Sequence, residues 1–151
     1  MTRYRFEYCA LRYFHDVWTG EFLNIGVVLF CPDQAFLGSR ISCGIQRARF
    51  TFGDVNIELF QGFTKDLVHL LEQERTNLRG IPALSKEDGL SRIITGVLPH
   101  DDSSFQWGPI LGGMTDSPEA EVDSLYDRYV GRYEKESYGA ALPLDLRSPK
   151  C

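Results

Sequence analysis

The chain has 151 residues, 43% of them hydrophobic and 13% aromatic, and carries a net charge of −5 at neutral pH. A chain of this length and composition can bury one substantial core, so we expect a single ordered globular domain rather than a disordered protein. The acidic balance disfavours non-specific nucleic-acid binding. Residues 1–53 nevertheless hold more Lys/Arg than Asp/Glu, which leaves a local basic face open.

The compartment and the redox state follow from composition. No apolar stretch approaches the ~20 residues of a membrane span, and the N-terminal residues alternate charged and aromatic side chains instead of forming the apolar region of a signal peptide. The cysteines form no CxxC pair and have no histidine at ligand spacing. We therefore expect a cytoplasmic protein with reduced thiols, no metal and no cofactor. The four cysteines are Cys9, Cys31, Cys43 and Cys151.

Alternation and apolar runs predict four strands in the first third of the chain. Residues 3–14 alternate with a period of two, and residues 25–31 form an unbroken apolar run that ends at Pro32, as in a strand buried on both faces. Residues 36–43 and 47–52 return to a strand pattern. The connections are short, which favours an antiparallel meander, because parallel neighbours need a long crossover.

The remainder of the chain is mostly helical in pattern. Apolar residues recur at helical spacing over residues 54–78 and 85–97, and Ser117-Pro118 is a strong start for a third helix that reaches residue 133. A fifth strand at residues 105–110 is weakened by a glycine and a proline.

These elements predict an α+β protein, with an antiparallel meander sheet of four to five strands covered by about three helices. The single domain is expected to span residues 1–137. Residues 138–151 lose periodicity, and we interpret them as a C-terminal tail.

Two segments carry a family resemblance. Residues 6–13 (FEYCALRY) followed by residues 20–30 (GEFLNIGVVLF) resemble the bacterial DUF 3037 family, a domain of unknown function, and residues 116–130 resemble the last helix of that family. The family carries no activity that could be transferred. The resemblance implies a partner role, because its members are often encoded beside HipA-like kinases.

The polar start of the buried strand is the first candidate site. Glu21 and Asn24 precede a strand that enters the core, so both could project into one pocket and bind a ligand or partner. Alternatively, Asn24 caps a bulge and Glu21 satisfies buried N–H groups or pairs with an arginine. Gly26 is expected to permit the close approach of a side chain such as Tyr8 or Phe50.

Arginines and a tryptophan complete the candidate binding residues. At strand spacing, Arg47 and Arg49 would lie on one face with Arg12 nearby, and two guanidinium groups suit a phosphate, a carboxylate or an acidic peptide. The alternative is the charged outer face of an edge strand. Trp18 lies in a predicted loop, which is typical of an interface anchor, although packing over the sheet edge is equally compatible with its position.

The sequence contains no recognisable catalytic motif of the hydrolase, P-loop, zincin or dinucleotide-binding kind. The leading hypothesis is therefore a non-catalytic protein-interaction module, with a HipA-like kinase as the implied partner. The alternative is a small-ligand-binding protein or an enzyme that acts on a phosphorylated or nucleotide substrate through Glu21, Asn24, Arg47 and Arg49. The pair His15-Asp16 is the one acid–base neighbour pair near Glu21.

Overall fold

The computed structural model describes residues 2–42, 45–80, 89–101 and 103–134, without the side chains of residues 79 and 80. These residues form an α+β fold in which an open, five-stranded antiparallel sheet has helices on both faces. The strands are β1 (Tyr4–Asp16), β2 (Glu21–Cys31), β3 (Phe36–Ile41), β4 (Phe105–Trp107) and β5 (Leu111–Thr115). The helices are α1 (Gln46–Phe52), α2 (Ile57–Gly80), α3 (Gly89–Val97) and α4 (Pro118–Tyr126), and α4 continues into a π-helical turn at Asp127–Gly131.

Strand β2 lies in the middle of the sheet, as its apolar run predicts. The strand order is β3-β2-β1-β4, and β5 pairs with the other half of β1. Val27, Val28, Leu29 and Cys31 are completely buried. The first three strands are antiparallel neighbours in chain order, which confirms the predicted meander.

A β-bulge interrupts the pairing of β1 with β2. Leu11 faces Gly26 and the next residue, Arg12, faces Asn24, so Ile25 is the extra residue on β2. A bulge changes which side chains reach which face of the sheet. The residues before and after Ile25 on β2 are therefore out of phase with each other.

The two faces of the sheet belong to two separate cores. The larger core joins the sheet residues Leu11, Tyr13 and Val28 to α1, α2 and α3. The smaller core joins Val27 and Leu29 to residues of α4 and the π-helical turn. Helix α4 begins as its sequence predicts, because the Ser117 hydroxyl accepts a 3.3 Å hydrogen bond from the Ala120 N–H.

Two strand predictions need correction. The prediction of a strand at residues 47–52 is wrong: these residues form helix α1, in which Ala48 is the buried residue. Six alternating residues also fit one and a half helical turns, and Gln, Arg and Ala favour a helix intrinsically. The predicted strand at residues 105–110 ends at Trp107, and β5 follows it unpredicted.

Strand β5 gave no sequence signal because it contains Gly112 and Gly113, which weaken a strand. The structure uses Gly113 for space: a Cβ there would lie 2.8 Å from Cζ of Phe6. The other long helices are confirmed, α3 from Gly89 onward. Residues 81–88 and the predicted tail at residues 138–151 lie outside the described part of the chain.

Candidate functional site

The β1–β2 hairpin ends in a turn that displays Trp18. The Asp16 carboxylate accepts a 2.9 Å hydrogen bond from the Trp18 N–H, and the Asp16 carbonyl accepts one from Thr19 Oγ1. The turn closes through the Gly20 N–H, and Gly20 has the positive φ of 73° that favours glycine. The side chain of Trp18 is 95% exposed. The sequence prediction of a loop tryptophan is therefore confirmed, and this side chain does not pack over the sheet edge.

The junction of α1 and α2 lies beside this hairpin. The His15 ring stacks on Phe52 with centroids 4.8 Å apart, and its Nε2 is 3.3 Å from the Asp54 carboxylate. Tyr13 makes a 3.2 Å hydrogen bond with His15 Nδ1. The imidazole therefore pairs with Asp54, whereas the Asp16 carboxylate shapes the turn. The structure does not form the acid–base pair His15-Asp16.

Large apolar side chains are exposed around this junction. Phe50 is 77% exposed at the end of α1, and Leu59 is 72% exposed in the first turn of α2. We call residues 15–22 together with residues 50–59 the hairpin end. Such exposed apolar groups at one end of a small domain are typical of a surface that contacts another molecule.

Glu21 also lies at the hairpin end, and it is exposed. It opens β2 opposite Asp16 and does not enter the core. The expectation that Glu21 projects into a pocket or satisfies buried N–H groups does not fit this position. With Asp16, Asp54 and Glu58, which are exposed as well, it makes the hairpin end acidic.

The structure brings Arg12 and Asn24 together. The bulge places them opposite each other on neighbouring strands, and both are partly buried. The Arg12 guanidinium lies over the Phe22 ring, with Cζ 4.2 Å from the centroid. Arg12 Nε and Asn24 Oδ1 are buried, and neither has a hydrogen-bond partner among the described residues.

Gly26 permits a close approach, as predicted, but to a different neighbour. A Cβ at this position would lie 2.8 Å from Cγ1 of Ile41 and 3.0 Å from the Arg40 carbonyl oxygen on β3. The neighbours expected from sequence, Tyr8 and Phe50, are not the ones that crowd it. Gly26 therefore serves the packing of β2 against β3.

Arg47 and Arg49 do not share a face. They are two residues apart in helix α1, and side chains at that spacing point to nearly opposite sides of a helix. Arg47 lies over the Tyr133 ring, with Cζ 5.1 Å from the centroid, and Arg49 is exposed. The paired guanidinium site expected from strand spacing is therefore not formed.

A buried polar cluster near the end of α4 was missed by sequence reasoning. Ser42 donates a hydrogen bond to Glu134, and Tyr126 contacts both residues. Burial and the Glu134 charge together raise the pKa of Tyr126 to about 12. Arg40 lies over the Tyr126 ring and also pairs with Asp123 at 3.1 Å. No local motif marks residues that meet only through the fold.

Neither a disulfide nor a group of metal ligands occurs among the described residues. Cys9 and Cys31 are free and buried, and burial raises the pKa of the Cys9 thiol to about 12, which disfavours the reactive thiolate. Cys43 and Cys151 lie outside the described residues. Within the described ranges no three His, Cys, Asp or Glu side chains are grouped as metal ligands.

The described residues define a small α+β protein with an open sheet and a β1–β2 hairpin that exposes Trp18. No helix in the described ranges has both the length and the apolar character needed to cross a bilayer. The chain belongs to the DUF3037 family, described as a protein of unknown function, whose model matches residues 8–130. Comparisons with curated proteins and with solved structures give no match.

Proposed function

We propose that the protein is a non-catalytic interaction module that binds another protein through the hairpin end, with Trp18 as the anchor. The observation that carries this proposal is the 95% exposure of a tryptophan held in a hydrogen-bonded turn. Solvation of a large aromatic side chain is unfavourable, and tryptophan is enriched among the residues that dominate binding energy. Because the turn is already ordered, binding loses little conformational entropy there.

The surroundings of Trp18 indicate the kind of partner. Asp16 and Glu21 place negative charge in the same hairpin, and the α1–α2 junction that packs on His15 adds the exposed side chains of Phe50, Leu59 and Asp54. An apolar pocket with a basic rim is the complementary surface. A HipA-like kinase is the partner that the family resemblance implies, and we place both proteins in the cytoplasm.

Capture of the partner from a native lysate tests the proposal. The full-length tagged chain, Trp18→Ala and Met114→Ala are compared by quantitative mass spectrometry, followed by titration of the purified HipA-like kinase. Met114 is the matched control, because it is half-exposed on β5, which pairs with the opposite end of β1. Removal of an anchor costs about 2 kcal/mol or more, so Trp18→Ala should weaken binding at least ~30-fold.

The wild-type chain and Met114→Ala should bind the same protein with equal affinity. Equal capture by all three chains, or no stoichiometric partner at native expression level, contradicts the proposal. Thermal unfolding serves as the folding control. Because the Trp18 side chain is exposed, Trp18→Ala should unfold at the wild-type temperature.

A further inference from the structure

Arg12 is a positive charge placed on a part of the sheet that helix α4 does not cover. Leu11 and Tyr13 point into the larger core, so Arg12 between them points to the opposite face of the sheet. Leu23 and Ile25 also point into the larger core, so Asn24 between them points to the same face as Arg12. On that face α4 packs against β2 and β3 and covers Val27 and Leu29. Arg12 on β1 and Asn24 near the start of β2 lie on the hairpin side of these residues.

The charge of Arg12 is not compensated within the described ranges. Among the described residues, the Arg12 guanidinium makes a cation–π contact with the ring of Phe22. No described carboxylate lies within ion-pairing distance of the guanidinium. A partly buried charge without a counter-charge is unfavourable. An anion that approaches Arg12 would remove this cost, and so the position favours a bound anion.

The accessible side-chain polar groups of Arg12 and Asn24 are hydrogen-bond donors. Arg12 Nε and Asn24 Oδ1 are buried and have no hydrogen-bond partner among the described residues. The Nη groups of Arg12 and Nδ2 of Asn24 are not buried in this way. Because neither residue makes a described side-chain hydrogen bond, these remaining groups reach the surface. A ligand therefore meets the outer edge of a guanidinium and an amide NH₂, which both require an acceptor.

We propose that Arg12, Asn24 and Phe22, the Arg12 site, bind a carboxylate group of the protein partner. The Arg12 guanidinium lies over the Phe22 ring, and the fork of N–H groups of a guanidinium matches the two oxygens of a carboxylate. One cation in an acidic protein suits a singly charged carboxylate better than a phosphate dianion, because Asp16 and Glu21 repel the dianion more strongly. This inference rests on the proposed function and names the chemical group that the partner contributes.

The backbone of Gly108 packs against the guanidinium of Arg12. A Cβ on Gly108 would lie 3.1 Å from Nε and 3.2 Å from Cζ of Arg12, so the guanidinium lies directly against the backbone of this residue. The φ of Gly108 is not positive, so alanine fits the backbone there. Gly108→Ala should therefore displace the guanidinium without removing its charge. Gly62→Ala is the matched control, because a Cβ on Gly62 meets nothing within 4 Å.

A titration followed by ¹⁵N–¹H NMR tests the site without the partner. The full chain is titrated with propionate, with the neutral isostere propionamide and with inorganic phosphate. Propionate should shift the amide signals of Arg12, Phe22 and Asn24 and the Arg12 Nε–H, propionamide should shift none of them, and phosphate should bind more weakly. Arg12→Gln and Gly108→Ala should each weaken propionate binding at least fivefold, whereas Gly62→Ala should leave it unchanged.

Several outcomes overturn the inference. They are equal shifts by propionate and propionamide, tighter binding of phosphate, shifts confined to other residues, or undiminished propionate binding by Gly108→Ala. The last of these decides the matter if Arg12→Gln does not fold. Capture of the partner through Trp18 is measured separately, so a failed titration with intact Trp18-dependent capture refutes the carboxylate site alone.

Discussion

Ser42 and Glu134 are 92 residues apart in the chain, yet Ser42 Oγ donates a 2.5 Å hydrogen bond to Glu134 Oε1 in the protein interior. The Ser42 N–H also donates to the Ile25 carbonyl, just outside the last β2–β3 pair, Gly26 with Ile41. Glu134 follows the π-helical turn. The contact therefore joins the helical residues that follow the π-helical turn to the point where β3 leaves β2.

Replacement of Ser42 by alanine should lower the free energy of unfolding by about 1–3 kcal/mol, because it removes one of the donors to the buried Glu134 carboxylate. Urea unfolding of the full chain measures this. Ser124→Ala is the control: Ser124 is exposed in α4, so its replacement should leave stability unchanged or slightly raised by the helix propensity of alanine. Equal stabilities of the two variants would show that the Ser42 contact contributes nothing.

The protein should lose stability in alkaline solution. Burial raises the pKa of Tyr126 from 10.0 to about 12, and burial together with the Tyr129 hydrogen bond raises the pKa of Tyr8 equally. A raised pKa means that the folded state holds its proton after the unfolded chain has released it. This contribution to stability is complete below pH 10 and is lost as the pH rises to about 12.

Urea unfolding at a series of alkaline pH values tests whether the free energy of unfolding falls as the pH rises. The free energy of unfolding should fall from about pH 10 onward, with an earlier contribution from Cys9, whose ordinary thiol pKa of 9.0 is raised to about 12 by burial. Tyr126→Phe removes one of the titrating groups, so the decline should be shallower in that variant. A free energy that stays constant up to pH 12 is the opposite result.

The predictable part of the fold is the part that local patterns determine. Residues 25–31 form an unbroken apolar run that is short, rich in β-branched and aromatic residues and followed by Pro32, and these features favour a strand with both faces covered. The Ser117-Pro118 start of α4 was equally clear, because the capping hydroxyl and the proline act on the adjacent turn. Helix α1 was not predictable in this way, because the segment from Arg47 to Phe52 is too short to distinguish the two-residue period of a strand from the 3.6-residue period of a helix.

The candidate site depended on register, which the sequence does not display. The sequence allowed a bulge capped by Asn24, and a bulge is present at Ile25, but the register that places Asn24 opposite Arg12 follows only from the strand pairing. Both residues were predicted as binding residues, but their pairing was not. Ser42 and Glu134 illustrate the same limit at greater distance, because two ordinary polar residues become a buried pair only after sheet and helix have packed.

The close approach of β3 to Gly26 predicts opposite effects for two glycine replacements. Gly26→Ala forces a Cβ to within 3.0 Å of the Arg40 carbonyl oxygen, and backbone cannot yield as a side chain can, so the variant should lose about 1–3 kcal/mol. Gly62→Ala places its methyl in open space on helix α2 and should gain about 0.5–1 kcal/mol. Urea unfolding measures both, and a neutral Gly26→Ala would contradict the packing described here.

The two tryptophans should report different parts of the molecule. Trp107 is buried, and its indole N–H donates to the carbonyls of Ile94 and Leu98 at 3.0 Å each, which satisfies the end of α3. Trp107→Phe should therefore cost about 1–3 kcal/mol and leave Trp18 as the one tryptophan, which excitation at the red edge of the absorption band selects over tyrosine. The emission of that variant should already be red-shifted and open to iodide quenching in the native state, because Trp18 is solvated. Trp18→Phe is the control, with wild-type stability and blue-shifted emission protected from iodide; equal quenching of the two variants would show that Trp18 is not exposed.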